Sequence, residues 1–317
     1  EVPPVITSLD QIVEAVRSRP MKTVAVAVAQ HESVLSAVKH AAEVGIAEAV
    51  LVGDRDEIAA AAEPVGLDLT QVAVIHESSD LGAAATATAL VSSGRADILM
   101  KGQIHTDDFL RAVLDKDRGL RAGHLMSHVF ILETTHLGRL TLVTDGAMNI
   151  APDLEQKAEI ILNAVYLAQL LGIDSPNVGV LAAVELVSPN MPATVDAAVL
   201  ATMSERRQFP CCTIEGPLAL DNAVSEVAAQ IKHIEGPGAG KCDVLVVPNI
   251  EAGNMLAKSF VYFAQGQVAG VLVGAAAPIV LTSRADSAEA KLYSIATAML
   301  MADLHRSSRL KIGKVHF

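Results

Sequence analysis

In PIVLTSRADSAEAKL (residues 278–292) an apolar, strand-like run ends at Ser283 and Arg284, and a helical pattern begins at once. Backbone N–H groups at a helix start attract anions. A serine hydroxyl can donate to an oxyanion, and the planar guanidinium of arginine matches two phosphate oxygens together. Ser283 and Arg284 are therefore the first candidates for catalysis on an anionic small molecule. Asp286 and Glu289 follow as Asp-x-x-Glu, the pattern of a capping box, and capping is a sufficient account of both.

Three other stretches place polar residues just after a strand. LMKGQIHTDDFLRAVL (99–114) ends a strand at Lys101-Gly102 and starts a helix near Thr106, with Asp107 and Asp108 in its first turn. Lys101, His105, Thr106 and Arg111 then lie at or near the carboxyl end of a parallel strand, where open α/β sheets bind ligands. Thr106 also suits a cap, and the two Asp residues suit the helix dipole. In VTDGAMNIAPDLEQ (143–156), Asp145, Gly146 and Asn149 follow a strand and Pro152 favours a helix start. Asp145 either orients a cation or ends the strand. In VPNIEAGNMLAKSF (247–260), Asn249, Gly253 and Asn254 offer amide groups and close backbone approach. A glycine inside a helix costs about 1 kcal/mol relative to Ala, so Gly253 implies a close neighbour, either a ligand or another helix.

Other patterns carry no such chemistry. GPGAGK (236–241) has the glycines and lysine of a nucleotide loop, which needs Gly-x-x-x-x-Gly-Lys-Ser/Thr between a strand and a helix. Here Gly236 and Gly240 are one residue too close, Cys242 replaces the hydroxyl, and a helical stretch (220–233) comes before the strand DVLVVP. The segment reads as a connector. No glycine follows the first strand, TVAVAVA, which excludes dinucleotide binding of the Gly-x-Gly-x-x-Gly kind. His124 and His128 have zinc-helix spacing, but no Glu lies between them and the second begins a β-like run, so no metal site is expected. Cys211, Cys212 and Cys242 form neither a disulfide framework nor a metal set and read as buried reduced thiols.

The elements that must position these residues come from a chain of 317 residues, 51% apolar but only 3% aromatic and without Trp. Its interior must be built from Ala, Val, Leu and Ile, and it is large enough for two packed lobes. A net charge of −12 argues against nucleic-acid partners, though a local basic cluster can still hold an anion. No apolar run approaches the ~18 residues of a membrane span. VAGVLVGAAAPIVL, interrupted by Pro278, reads as two short buried strands, and EVPPVITSLD lacks the order of a leader peptide. A cytoplasmic protein without membrane partners is expected. Strand-like runs alternate with helical patterns almost throughout, which means parallel sheet with helices on both faces. The rhythm breaks at 127–145, where SHVFILE and RLTLVTD leave no room for a helix and predict an antiparallel ribbon. The expected fold is α/β with two lobes, 1–147 plus 280–317 and 148–279, and a cleft between them.

Together the four strand-end stretches resemble the phosphate acetyl/butyryltransferase family, in the right order and over nearly the whole chain. The resemblance implies a two-lobed subunit of isocitrate/isopropylmalate dehydrogenase-like fold, usually a homodimer. Its substrates would be acyl-CoA and inorganic phosphate, with an acyl group moved between coenzyme A and phosphate. It implies no tightly bound cofactor, no metal and no covalent acyl-enzyme. Ser283 and Arg284 match the family's Ser-Arg pair near the acyl phosphate, Arg111 matches a basic residue lining the cleft, and Asn249, Gly253 and Asn254 match a loop of the second lobe.

One departure stands out. Acetyl-type members carry Ser-Arg-Gly-x-Ser-x-Glu-Asp, whose final Asp is the proposed base, and that position is Ala290 here. The base assignment does not carry over. Cationic surroundings alone, Asp286 and Glu289 stay open as ways to ionise the thiol. TSRADSAEAK and AAVELVSPNMPATVDAA are closer to the butyryl-type branch, and GAAA (274–277) is a candidate for making room for a longer acyl chain. Some relatives are fused behind an enoyl-CoA hydratase-like domain. The start at EVPP without Met is compatible with that and equally with a trimmed tag. Two other readings compete. A metal-dependent decarboxylating dehydrogenase of similar fold needs clustered Asp ligands, and no convincing set can be assembled; a non-catalytic small-anion binding protein would not need coenzyme A.

Overall fold

The computed structural model describes residues 5–133, 137–307 and 313–315. The chain begins α1 (Leu9–Arg17), β1 (Lys22–Ala27), α2 (Glu32–Glu43), β2 (Ala47–Gly53), α3 (Arg55–Val65), β3 (Ala73–His76), α4 (Asp80–Ser92), β4 (Ile98–Lys101) and α5 (Thr106–Val113). It continues with β5 (Ser127–Glu133), β6 (Leu140–Thr144), α6 (Leu154–Leu170), β7 (Asn177–Leu181), α7 (Pro192–Glu205), β8 (Thr213–Leu218), α8 (Leu220–Val224), α9 (Glu226–Ile231), β9 (Val244–Val246) and α10 (Ile250–Tyr262). It closes with β10 (Gln267–Val273), β11 (Ile279–Val280) and α11 (Ala288–Ser307).

Two compact units emerge: Asp10–His124 with Ala269–Ser307, and Leu125–Val268 with residues 5–9 and 313–315. Both divisions fall earlier in the chain than the sequence rhythm places them, at 147/148 and 279/280. The reason is hydrogen bonding. β6 pairs in parallel with β9, which ties the 127–144 ribbon to the later strands, and β10 pairs antiparallel with β11.

In the first unit β3, β2, β1, β4 and β11 are parallel neighbours in that order. Chain order reverses across the β1–β4 pair, the position where such sheets open a crevice beyond their carboxyl ends. The core is aliphatic, as composition requires: Val24, Val26, Leu51, Ile98, Leu99, Met100, Ile279 and Val280 are fully buried or nearly so. In the second unit β5 and β6 form the expected antiparallel ribbon, and parallel pairs then run β6–β9, β9–β7 and β7–β8. The residues at 134–136 that connect the ribbon lie outside the described residues. Among the described residues no helix is long and apolar enough to cross a membrane.

Several local expectations need correction. The helix read over 220–233 is two short ones. The carbonyls of Asn222 and Ala223 accept the N–H groups of Gly240 and Cys242, and Ser225 opens a new helix by accepting from the Ala228 N–H at 3.3 Å. The glycine-rich segment is thus a connector, further tied down where Gly238 N–H donates to Glu215 Oε1 at 2.7 Å. α5 is capped by His105, not Thr106, and α11 starts at Ala288, four residues beyond Arg284. Of the three cysteines only Cys242 is buried, whereas Cys211 is exposed.

Candidate active site

β4 and β11 lie side by side in parallel register, Leu99 opposite Ile279 and Met100 opposite Val280. Lys101 and the Thr282–Asp286 segment follow directly at the carboxyl ends of these strands. Lys101 closes β4 and is 2% exposed, with Nζ 3.5 Å from the Gly102 carbonyl. Gly102 is required by sterics: a Cβ there would run into the carbonyls of Ala27 and Val28. Its N–H and that of Gln103 donate to those same carbonyls at 2.9 and 2.8 Å, which pins the loop after β4 to the loop after β1. Val28 sits at φ 58, a left-handed conformation that a β-branched residue adopts only under strain.

The Ser283–Asp286 segment is a tight turn. Asp286 N–H donates to the Ser283 carbonyl at 3.2 Å, and the Asp286 carboxylate accepts from Ser283 N–H at 2.7 Å. Ser287 caps α11 instead, accepting from Ala290 N–H at 3.1 Å. The Tyr293 hydroxyl donates to Asp10 at 2.7 Å, and Glu289 stands off the same hydroxyl at 3.3 Å. The expected Asp-x-x-Glu capping box is therefore absent, and Asp286 shapes the Ser-Arg turn. Arg284 is exposed and has no hydrogen-bond or ion-pair partner among the described residues, so its five donors are available.

Sequence reasoning missed Lys291. It lies one turn into α11 and is 1% exposed, and its ammonium donates to the carbonyls of Ser283, at 3.3 Å, and Asp286. The available signal was its place on a helix whose neighbours, Ala290, Leu292, Tyr293 and Ser294, are all buried. Burial pushes Lys291 below the usual lysine range, opposed by Asp286. Burial, reinforced by the charges of Arg284 and Lys291, lowers Lys101 to about 8. Three cations thus gather around one carboxylate on a chain of net charge −12. That arrangement suits a polyanion.

The remaining first-unit candidates are less directly engaged. His105 is exposed and caps α5 without a side-chain hydrogen bond, and Thr106 is half-buried as the helix's first residue. Arg111 is 70% exposed and pairs with Asp108 on its own helix at 3.2 Å.

In the second unit, Asn249, Gly253 and Asn254 build a backbone junction. Asn249 caps α10, accepting from Ala252 N–H at 2.9 Å. A Cβ on Gly253 would lie 2.8 Å from both the Asp145 carbonyl and the Gly146 Cα, so its close neighbour is the loop after β6. Asn254 Nδ2 donates to the Gly146 carbonyl at 3.2 Å. Asp145 is buried and accepts from the N–H groups of Ala147, Met148 and Asn149 and from Asn149 Nδ2. Asp145 organises this loop. Among the described residues no group of three or more His, Cys, Asp or Glu side chains is disposed to hold a metal ion.

Comparison with known proteins identifies the family. The family described as "Phosphate acetyl/butaryl transferase" matches residues 7–85 and 81–299. The chain is 48% identical to a phosphate butyryltransferase of Clostridium acetobutylicum over 297 residues, 94% of this chain and 99% of that protein. It is 40% identical to a phosphate acetyltransferase of Rhizobium meliloti over 301 residues, 95% of each chain. Among solved structures it is similar to a branched-chain phosphotransacylase from Enterococcus faecalis V583, with a TM-score of 0.80 and 35% identity over 89% of this chain and 99% of that one. With the buried Lys101 and Lys291 beside an exposed Arg284 at paired strand ends, and a family match spanning nearly its full length, the chain belongs to the phosphate acetyl/butyryltransferase family.

Proposed function

We infer that this protein is an acyltransferase moving a short acyl group between coenzyme A and inorganic phosphate. The observation that carries this reading is the free Arg284 guanidinium on a turn held beside the buried Lys101. In the direction of acyl-CoA synthesis, the thiolate attacks the carbonyl carbon of the acyl phosphate and a tetrahedral oxyanion forms. The C–O bond to phosphate then breaks, and phosphate leaves with the electron pair. In reverse, a phosphate oxygen attacks the thioester and the thiolate departs. The chemistry is mainly orientation plus stabilisation of charge on the oxyanion and the leaving phosphate. Arg284 and Lys101 take the phosphate, and the Ser283 hydroxyl donates toward the oxyanion. His105, Thr106 and Arg111 are assigned to substrate binding at the start of α5. Asn249, Gly253 and Asn254 shape the loop after β6 for the same purpose. The finer fold name, isocitrate/isopropylmalate dehydrogenase-like, belongs to this reading, as does a cytoplasmic homodimer.

A four-carbon acyl group is the favoured substrate, supported by identity of 48% to a butyryl-type relative against 40% to an acetyl-type one. The GAAA segment contributes nothing to this choice. Ala275 bridges to Arg121 and Ala276 N–H donates to the Leu120 carbonyl, which places these residues before the amino end of β11. Ser283 lies past the other end.

Free thiol released from C2 to C5 acyl-CoAs, with and without phosphate, tests the reading. Phosphate-dependent release peaking at C4 is expected, and no phosphate-dependent release at any length removes it. Arg284→Ala should lower turnover at least ~100-fold, a typical loss for one transition-state donor; near-normal turnover takes Arg284 out of the site.

A further inference from the structure

We propose that Lys291 is a positioning residue, whose ammonium grips the Ser283 and Asp286 carbonyls and so sets the shape of the Ser283–Arg284 turn. The inference rests on the acyl-transfer reading above, in which that turn handles the acyl phosphate. Four observations converge. The side chain reaches back eight residues in sequence, from the first turns of α11 to the carbonyl of Ser283 at 3.3 Å. It bonds the Asp286 carbonyl as well, so one ammonium closes the turn at both ends. It is 1% exposed, and no carboxylate lies within ion-pair distance of it among the described residues. A buried, unpaired lysine is costly, and neighbouring helix positions are filled by apolar residues that would pack without that cost.

A compact ammonium with three donors can serve two carbonyls in a way no apolar side chain can. Without it the Asp286 carboxylate still ties Ser283 N–H, but both carbonyls lose their shared donor and the turn gains freedom. Arg284 has no partner of its own to hold it, so its placement depends on that turn. A displacement of about 1 Å at a reacting group costs roughly 100-fold in rate.

The test compares Lys291→Met and Lys291→Ala with the wild type and with Arg284→Ala. Lys291→Met keeps the stem and removes the donor. It should lower kcat/KM for phosphate about 100-fold, leave the KM for acyl-CoA within about twofold, and leave the melting temperature equal or higher, since replacing a buried charge by an apolar residue is often stabilising. Millimolar ethylammonium should restore part of the lost kcat to Lys291→Ala and none to Arg284→Ala. Activity lost only in step with melting temperature, or Lys291→Met with near-normal kcat/KM while Arg284→Ala is inactive, overturns the positioning role and leaves the acyl-transfer reading standing. A wild type without phosphate-dependent thiol release fails that reading instead.

Discussion

Replacing Lys101 by Met separates what this lysine does to the fold from what it does for an anion. Burial first, then the charges of Arg284 and Lys291, bring its ammonium from 10.5 down to about 8, with Asp286 opposing. At about 1.4 kcal/mol per tenfold, that displacement sets roughly 3 kcal/mol against the folded state at pH 7, an upper figure because the exposed Arg284 supplies part of it. The sign follows from proton binding. Below about pH 8 both states hold the proton and the cost is complete; between about 8 and 10.5 the folded state has released it while the unfolded state has not, so stability rises with pH across that window. A phosphate dianion beside the ammonium works the other way, raising its pKa, so phosphate binding takes up a proton and weakens as pH passes 8. Lys101→Met, similar in length and uncharged, should melt a few °C above the wild type at pH 7 without phosphate, and that excess should shrink between pH 7 and 9.5, because only the wild type recovers the cost by releasing the Lys101 proton. Its KM for phosphate should rise about tenfold or more, as one charge-assisted contact is lost, with the KM for acyl-CoA little changed. Scanning fluorimetry across pH and steady-state kinetics read both effects. A variant that melts below the wild type at pH 7 and keeps its KM for phosphate refutes the reasoning.

The other predictions concern single contacts. Asp286→Ala removes the acceptor for Ser283 N–H and should cost about tenfold or more in turnover, whereas Asp286→Asn keeps an acceptor and should stay within a few-fold; equal losses would show that charge, not the hydrogen bond, matters. Gly253→Ala should destabilise by about 1–3 kcal/mol through overpacking against Asp145 and Gly146, read by urea titration; a gain of about 1 kcal/mol, the ordinary helix effect, would show that the junction has room. At neutral pH a thiol reagent should label Cys211 alone, because burial pushes Cys212 and Cys242 up to about 12, and denaturation should expose all three; mass spectrometry of labelled peptides decides.

The parts legible in the sequence are those where local pattern and tertiary demand agree. β4 and β11 are apolar runs that end on polar residues, so Lys101, Ser283 and Arg284 are found at strand ends by inspection. The same holds for the β5–β6 ribbon, whose short connection leaves no alternative. Where a distant backbone competes for a local hydrogen bond, inspection fails. The 220–233 segment has an unbroken helical period, yet Gly240 and Cys242 take two of its carbonyls and divide it. Asp-x-x-Glu has the pattern of a capping box, but Ser287 is a better placed acceptor, which releases Asp286 to the turn. Gly253 announces a close neighbour correctly, and only coordinates identify it as the Asp145–Gly146 backbone. Lys291 is the instructive miss: a lysine on a helix reads as a solvated charge, and only the apolar character of neighbours such as Ala290 and Leu292 hints that its stem runs inward.

These corrections bear on the missing base at Ala290. Asp286 is committed to Ser283 N–H, whereas the single Tyr293 hydroxyl proton is held by Asp10 at 2.7 Å rather than by Glu289 at 3.3 Å. Taking Asp286 as a proton acceptor would compete with the bond that holds the turn. Magnitudes show how little a base would add. A thiol with a pKa of about 8.5 is roughly a tenth ionised at pH 7.5, so complete ionisation raises the thiolate concentration at most about tenfold. Lowering that pKa by one unit takes about 1.4 kcal/mol, which a single cation a few ångströms away supplies at the effective dielectric of a partly buried site. Lys101, Arg284 and Lys291 outnumber Asp286 three to one. On the proposed reading the same excess of positive charge that receives the phosphate also ionises the thiol, and an alanine at position 290 is enough.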